Sequence, residues 1–330
     1  MLYIGSYTPD SSGGGNGTGI TRVGVDAESG RLTPDGVTPA SGPSFLARHP
    51  SGDFLYSVVE RPDGAVTAFA VESDGGLRNL GSQPTGGADP CHLSVDPTGR
   101  WLVTANYSSG TVSVHPIGAD GALGERTASV QHAGTGPVTD RQEGPHAHQA
   151  RFDPAGEYVL VNDLGADTVT AYRLDGGALD RVAVTSVPAG TGPRHLAFGA
   201  DDLAYLAGEL DSGVTVLRYA EGRFTVLSRV DASERGVTNY PSEIAYSDGF
   251  VYVANRGADS VGVFEAHGTE LRRLAEVDTG GEWPRHLLPL GEYLYVANQR
   301  SDSVSILRRT PVPELVDRYA VPAPACLLDR

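Results

Sequence analysis

Histidines, arginines and carboxylates recur at one kind of position in this chain. They stand at the starts of apolar segments, in Pro90-Cys91-His92, His146-Ala147-His148, Pro193-Arg194-His195, Pro241-Ser242-Glu243 and Pro284-Arg285-His286. A second set, Tyr7, Glu60, Tyr107, Leu164, Glu209, Arg256 and Gln299, closes other apolar segments. An imidazole exchanges protons near neutral pH, and a carboxylate can orient it or act as the base. Guanidiniums bind carboxylate or phosphate through paired donors and stabilise a developing oxyanion. His148 and Glu209 are the pair selected for proton transfer, and Arg194, Arg256 and Arg285 form an expected anion clamp. The bland alternative is that His148 and Glu209 cap channel-facing backbone groups while the arginines pair with Glu209 and Glu243. The arginines outnumber what two carboxylates need, which favours an anionic ligand.

These residues need a scaffold that returns to the same place, and the sequence has one. An apolar segment opened by Pro-x-x, a turn such as Asp-Pro-Thr-Gly and a second apolar segment ending in a polar residue come back seven times. The clearest second segments are LVTAN from Leu102, VLVND from Val159, VYVAN from Val251 and LYVAN from Leu294, with weaker copies from Leu2, Leu55 and Ala204. Their starts lie roughly 43 to 57 residues apart, the spacing of propeller blades with four strands each. β-Branched residues and punctuating Gly, Asn and Asp favour short strands, and no run has helical periodicity. The expectation is an all-β, seven-bladed propeller of four antiparallel strands per blade, one domain over residues 1–330. The chain opens on a second strand (LYIGSY) and ends on a first strand (Pro324–Leu328), so both termini should complete one blade and cover an otherwise open edge.

Strand parity puts first-strand starts and second-strand ends on one rim and the Asp-Pro-x-Gly turns on the other. The chemistry therefore converges on one mouth of a central channel, the usual form of a ligand site. The long connection HAGTGPVTDRQEGPHAH lies on that rim and should wall the pocket. His49, His115 and His267 are expected to be structural, and the GGGNGTG loop, which lacks the Lys-Ser/Thr of a phosphate loop, to be a flexible hairpin connection. Ser242 lacks a nucleophile elbow. Asn106, Asn255, Asn298, Glu209 and Glu243 could offer oxygens to a hard cation, but interleaved arginines oppose a divalent ion, so no catalytic metal and no cofactor are expected.

A net charge of −16 argues against nucleic-acid and anionic-membrane partners. No segment reaches the length of a membrane span and no signal-like segment opens the chain, so a cytoplasmic location is expected. Cys91 and Cys326 fall in blades that are not neighbours, which disfavours a disulfide.

The segments GPHAHQARFDPAGEYVLVNDLGADTV, GPRHLAFGADDLAYLAGELDSGVTVL, YPSEIAYSDGFVYVANRGADSVGVF and WPRHLLPLGEYLYVANQRSDSVSIL resemble the lactonase family of seven-bladed propellers, which includes a bacterial 6-phosphogluconolactonase type and a fungal carboxymuconate cyclase. The likeness covers nearly the whole chain; it departs at Asp202-Leu203, which replaces a fuller turn, and at GGGNGTG. It implies active-site roles for His146, His148, Arg194, His195 and Glu209, and pocket positions for Glu243, Arg256, Arg285 and His286. His92 and Gln299 join the substrate-binding set. The expected activity is hydrolysis of a small anionic lactone, nominally 6-phosphogluconolactone, in which activated water attacks the carbonyl, arginines hold the oxyanion and a protonated histidine helps the ring oxygen leave. Two alternatives stand beside it: a cycloisomerase that closes an unsaturated acid to a lactone, and a non-catalytic propeller that binds protein across one face. The expected partner is a small lactone or its open-chain acid; protein partners are left open.

Overall fold

The computed structural model describes residues 1–330. Twenty-eight strands, numbered from β1 (Leu2–Ser6) to β28 (Pro324–Asp329), form seven four-stranded sheets. Six sheets use consecutive strands, as in β8 (Pro90–Val95), β9 (Trp101–Asn106), β10 (Thr111–Pro116) and β11 (Ala128–Gln131). The seventh has the order β28, β1, β2 (Gly19–Val25), β3 (Leu32–Pro39). β28 pairs antiparallel with β1, Leu2 opposite Asp329 and Gly5 opposite Cys326, so the termini close one blade as the repeat count requires.

The second strand of each blade is apolar on both faces because both are covered. In β17 (Leu203–Gly208) every residue is buried. Ala204 and Leu206 pack with Tyr158, Leu160 and Val169 of the preceding blade. Leu203, Tyr205 and Ala207 pack with Ile244, Val251 and Val253 of the following one. The period-2 alternation of a strand thus divides its side chains between two inter-blade cores. Fully burying one such side chain contributes about 1.5–3 kcal/mol.

The asparagines ending these strands brace their own blade or tie it to the preceding one. Asn106 Nδ2 donates to Thr111 Oγ1 (3.1 Å) and Ser113 Oγ (3.3 Å), Asn298 Nδ2 to Ser305 Oγ (2.9 Å), and Asn255 Nδ2 to the Ala232 carbonyl (3.0 Å). These Nδ2 donors are satisfied by backbone and hydroxyl partners, while the Oδ1 atoms of Asn106 and Asn298 have none.

First strands carry the irregularity that builds the site. Register shifts fall between Pro90 and His92, Ala147 and Gln149, Pro193 and Leu196, Pro241 and Ile244, and Pro284 and His286. A β-bulge leaves its extra residue outside the ladder and re-aims its side chain. The displaced residues are Cys91, His148, Arg194-His195, Ser242-Glu243 and Arg285, and His148, Arg194, His195, Glu243 and Arg285 are among those selected from sequence. Each Pro fixes the strand start, and the residue before it often turns through positive φ: 54° at Asp89, 60° at Trp283 and 39° at Ala323. No helix is long and apolar enough to cross a membrane.

Candidate active site

A cavity of about 270 Å³ opens at the rim where first strands start and second strands end. Of the residues expected in the site, His148, Glu209, Arg256, Arg285 and Gln299 line it. Tyr7, Glu60, Cys91, Tyr107, Arg141 and Trp283 line it too and were not selected from sequence. Tyr7, Glu60 and Tyr107 end second strands, so blade parity alone marks them. Arg141 comes from the long connection, where no repeat spacing could single it out.

Glu209 is the electrostatic hub. Its Oε1 accepts from Arg141 Nη2 (2.6 Å), and its Oε2 accepts from Arg256 Nη2 (2.6 Å) with Arg194 Nε at 3.2 Å. Burial alone would raise its pKa, but Arg256, Arg194 and Arg141 pull it down to about 2. A carboxylate held so acidic is a poor base, and Glu209 makes no hydrogen bond to His148. His148 and Glu209, expected to transfer a proton between them, are therefore not in direct contact, and Glu209 bonds arginines instead.

One carboxylate does not balance these cations. Burial, then repulsion from Arg256 and Arg285, lowers the Arg194 pKa to about 9, and its Nε and Nη1 have no hydrogen-bond partner. Arg194 does not line the cavity; it sits behind Glu209. Arg285 makes no hydrogen bond or ion pair with the protein and lies over the Tyr7 ring, 4.9 Å from its centroid. Nearby, the buried Gln299 Oε1 is also unpaired.

His148 is neutral at physiological pH. Burial first, then Arg194, His195, Arg285 and Arg256, hold its pKa well below 6.5. Its Nδ1 lies 3.9 Å from Cys91 Sγ, and the Cys91 thiol, pushed up by burial, is no nucleophile.

The remaining histidines leave the cavity wall. His146 stacks on Tyr107 at 4.6 Å and contacts the Tyr107 carbonyl through Nδ1 (3.0 Å), supporting that ring from behind. His92, His195 and His286 surround Phe45 deeper in the channel, at 4.1, 5.9 and 5.8 Å between ring centroids. Glu243 Oε2 is 2.9 Å from His195 Nδ1 and 3.2 Å from His286 Nε2. Burial raises the Glu243 pKa and depresses those of both imidazoles, which favours the neutral forms of all three groups, with a hydrogen bond between Glu243 and His195. His286 reaches a wider depression at the opposite mouth, beside Cys326 and Leu327. His92, Glu243 and His286, expected to touch substrate, form the packed floor instead.

The GGGNGTG loop is anchored rather than loose. Ser12 N donates to the Glu60 carbonyl (3.0 Å), Asn16 Nδ2 donates to Asp302 Oδ2 (2.8 Å), and Gly13 lines the cavity. A Cβ at Gly13 would come within 2.8 Å of the Tyr7 ring, so the loop follows Tyr7 closely only because it lacks side chains. Trp283 forms the facing lip, its ring 3.6 Å from the Arg300 guanidinium and 5.5 Å from that of Arg256.

The chain is 35% identical to a 6-phosphogluconolactonase of Bacillus subtilis (strain 168) over 347 aligned positions, covering 98% of this chain and 97% of that one. A solved structure from Bacteroides fragilis NCTC 9343 superposes with a TM-score of 0.93 at 32% identity, covering 99% of this chain and 96% of the other. A periplasmic gluconolactonase of Pseudomonas aeruginosa superposes with a TM-score of 0.92 at 30% identity, covering 99% and 97%. The family model for the seven-bladed β-propeller lactonases matches residues 1–328, and with fold and polar rim in agreement the chain belongs to the lactonase family of seven-bladed β-propellers.

Proposed function

We propose that the protein hydrolyses a small lactone bearing phosphate or carboxylate, with 6-phosphogluconolactone as the nominal substrate. The observation that carries this reading is the Arg285 guanidinium, which faces the cavity without a protein partner a few residues' breadth from a neutral His148. Three guanidiniums converge on the firmly ionised Glu209 and a fourth, Arg285, faces the same cavity without an ion pair, so the cavity favours an anion. The activities by which the Bacillus and Pseudomonas relatives are known support the same reaction.

Arg285 binds the anionic group, and Arg256, held by Glu209, faces the oxygen that gains charge when water adds to the carbonyl. His148 Nε2 makes no protein hydrogen bond and takes the water proton. The arginines that depress its pKa are those the anionic substrate offsets. His148 therefore becomes more basic when substrate is present, which couples binding to proton abstraction. We assign no step to a metal, since Arg141, Arg256 and Arg285 line the cavity and oppose a divalent cation. Two buried, unpaired thiols fit a reducing compartment, and we place the protein in the cytoplasm.

The test is pH-stat titration of purified protein with phosphorylated, carboxylated and neutral δ- and γ-lactones. Acid release should be fastest with the anionic lactones. Failure to hydrolyse any lactone above its spontaneous rate, or equal rates on neutral and anionic ones, would overturn the reading.

A further inference from the structure

Lactone opening requires a second proton transfer, to the departing ring oxygen. The ring oxygen leaves as an alkoxide, a poor leaving group unless protonated as the C–O bond breaks. Only two carboxyl groups line the cavity, Glu60 and Glu209. Glu209 is excluded as a donor because three guanidiniums keep it ionised.

Glu60 stands in a different setting. Tyr7 Oη lies 2.9 Å from both of its carboxyl oxygens, and Ser44 Oγ donates to Oε2. Ser44 thus occupies Oε2 alone and the Tyr7 hydroxyl bridges the two oxygens, so Oε1 is the oxygen with fewer donors and the one suited to carry the proton. The backbone is fixed as well, Glu60 N donating to the Gly42 carbonyl at 3.1 Å and the Glu60 carbonyl accepting from Ser12 N at 3.0 Å. Arg285 covers the other face of the Tyr7 ring.

We propose that Glu60 is the general acid of the reaction, giving its Oε1 proton to the departing ring oxygen while Tyr7 and Ser44 stabilise the carboxylate that remains. The inference rests on the lactone-hydrolysis reading above. Water forms a bond to the carbonyl carbon and loses a proton to His148. The tetrahedral oxyanion collapses, the ring C–O bond breaks, and the ring oxygen takes the Glu60 proton to become a hydroxyl. The products are a carboxylic acid and an alcohol on one chain, with His148 protonated and Glu60 ionised. Transfer of that proton from His148 to Glu60 through cavity water restores both groups. Burial raises the Glu60 carboxyl above its ordinary range against the opposing pull of Arg285, Ser44 and Tyr7, which suits a group that must hold a proton and then release it.

Leaving-group dependence tests this assignment. The probes are a phosphate- or carboxylate-bearing aliphatic δ-lactone, which expels an alkoxide, and a carboxylate-substituted dihydrocoumarin, which expels a phenoxide whose pKa near ~10 needs no acid. Glu60→Gln should lower kcat on the aliphatic lactone by about 10²–10⁴ fold and on the aryl lactone by less than about 10 fold. Tyr7→Phe, which keeps the ring beneath Arg285, should show the same selectivity with a smaller loss, and it answers the question if Glu60→Gln does not fold. Equal losses on both lactones, or no loss on either, would overturn the role of Glu60. If the wild-type protein opens neither probe, the lactonase reading itself fails, a result distinct from loss of selectivity.

Discussion

At the residue scale, the charges divide into those that bind and those that brace. On the proposed reading, Arg285→Ala removes mainly an interaction made with substrate, since Arg285 makes no hydrogen bond or ion pair within the protein. A charge-assisted hydrogen bond contributes about 1.5–3 kcal/mol, so KM should rise about 10–150 fold with a smaller change in kcat. His148→Ala should do the reverse, lowering kcat by about 10²–10⁴ fold with KM little changed. Steady-state kinetics on the best lactone separates the two, and a matched loss of kcat in both variants would contradict the division. Glu209→Gln should first show itself in stability. It leaves Arg141, Arg194 and Arg256 without their shared counter-ion, and breaking such a buried pair costs about 3–5 kcal/mol. A thermal midpoint equal to wild type would mean that the hub is dispensable to the fold.

At the element scale, the bulged first strand is the unit that turns a repeat into a site. Without its extra residue, Arg285 would fall into the ladder and alternate towards an inter-blade core. The asparagine that ends the second strand acts inside the blade. Asn106→Ala should therefore cost about 1–3 kcal/mol of stability by leaving Thr111 and Ser113 short of a partner. Its kcat/KM should stay near wild type, unchanged by EDTA with or without added calcium, whereas a metal-ligand role would abolish activity. The sequence made blade number, closure by the termini and the chemical rim legible because they depend on period and parity, which survive without coordinates. It could not tell which side chains of the rim reach the cavity. His92 and His286 resume the ladder one residue after the bulge, at the register position of Gln149, and pack on Phe45, whereas His148 is itself the displaced residue. Nor could it divide labour between carboxylates: Glu60 and Glu209 occupy equivalent strand ends, and what separates them is three arginines against two hydroxyls. One of those arginines, Arg141, arrives on a loop outside the repeat.

At the scale of the whole molecule, seven blades converge on a channel packed with uncharged imidazoles, and that packing sets a limit in acid. His92, His148 and His195 are held well below 6.5, and His286 is lowered to about 4, in each case chiefly by burial. In the unfolded chain these groups take up protons as pH falls through about 6.5, while in the folded protein they stay neutral. The unfolded state therefore binds more protons below that pH, so stability is fully present above about 6.5 and declines as pH falls towards the folded pKa values. Buried Glu60 and Glu243 act in the opposite sense above the ordinary carboxyl range, because they keep protons that the unfolded chain releases. Four imidazoles outnumber two carboxyls, so the net loss on acidification persists. Glu209 adds nothing in this window, since its share is lost only below about 4.5, as pH falls towards about 2. Urea unfolding followed from pH 7.5 to 5 should show stability falling by about 2 kcal/mol or more per pH unit below pH 6. In His286→Gln the slope should be shallower by about 1.4 kcal/mol per pH unit, the equivalent of one proton. A urea midpoint that is flat from pH 7 to 5, or a slope unaltered in His286→Gln, would show that the channel histidines are solvated and titrate alike in both states.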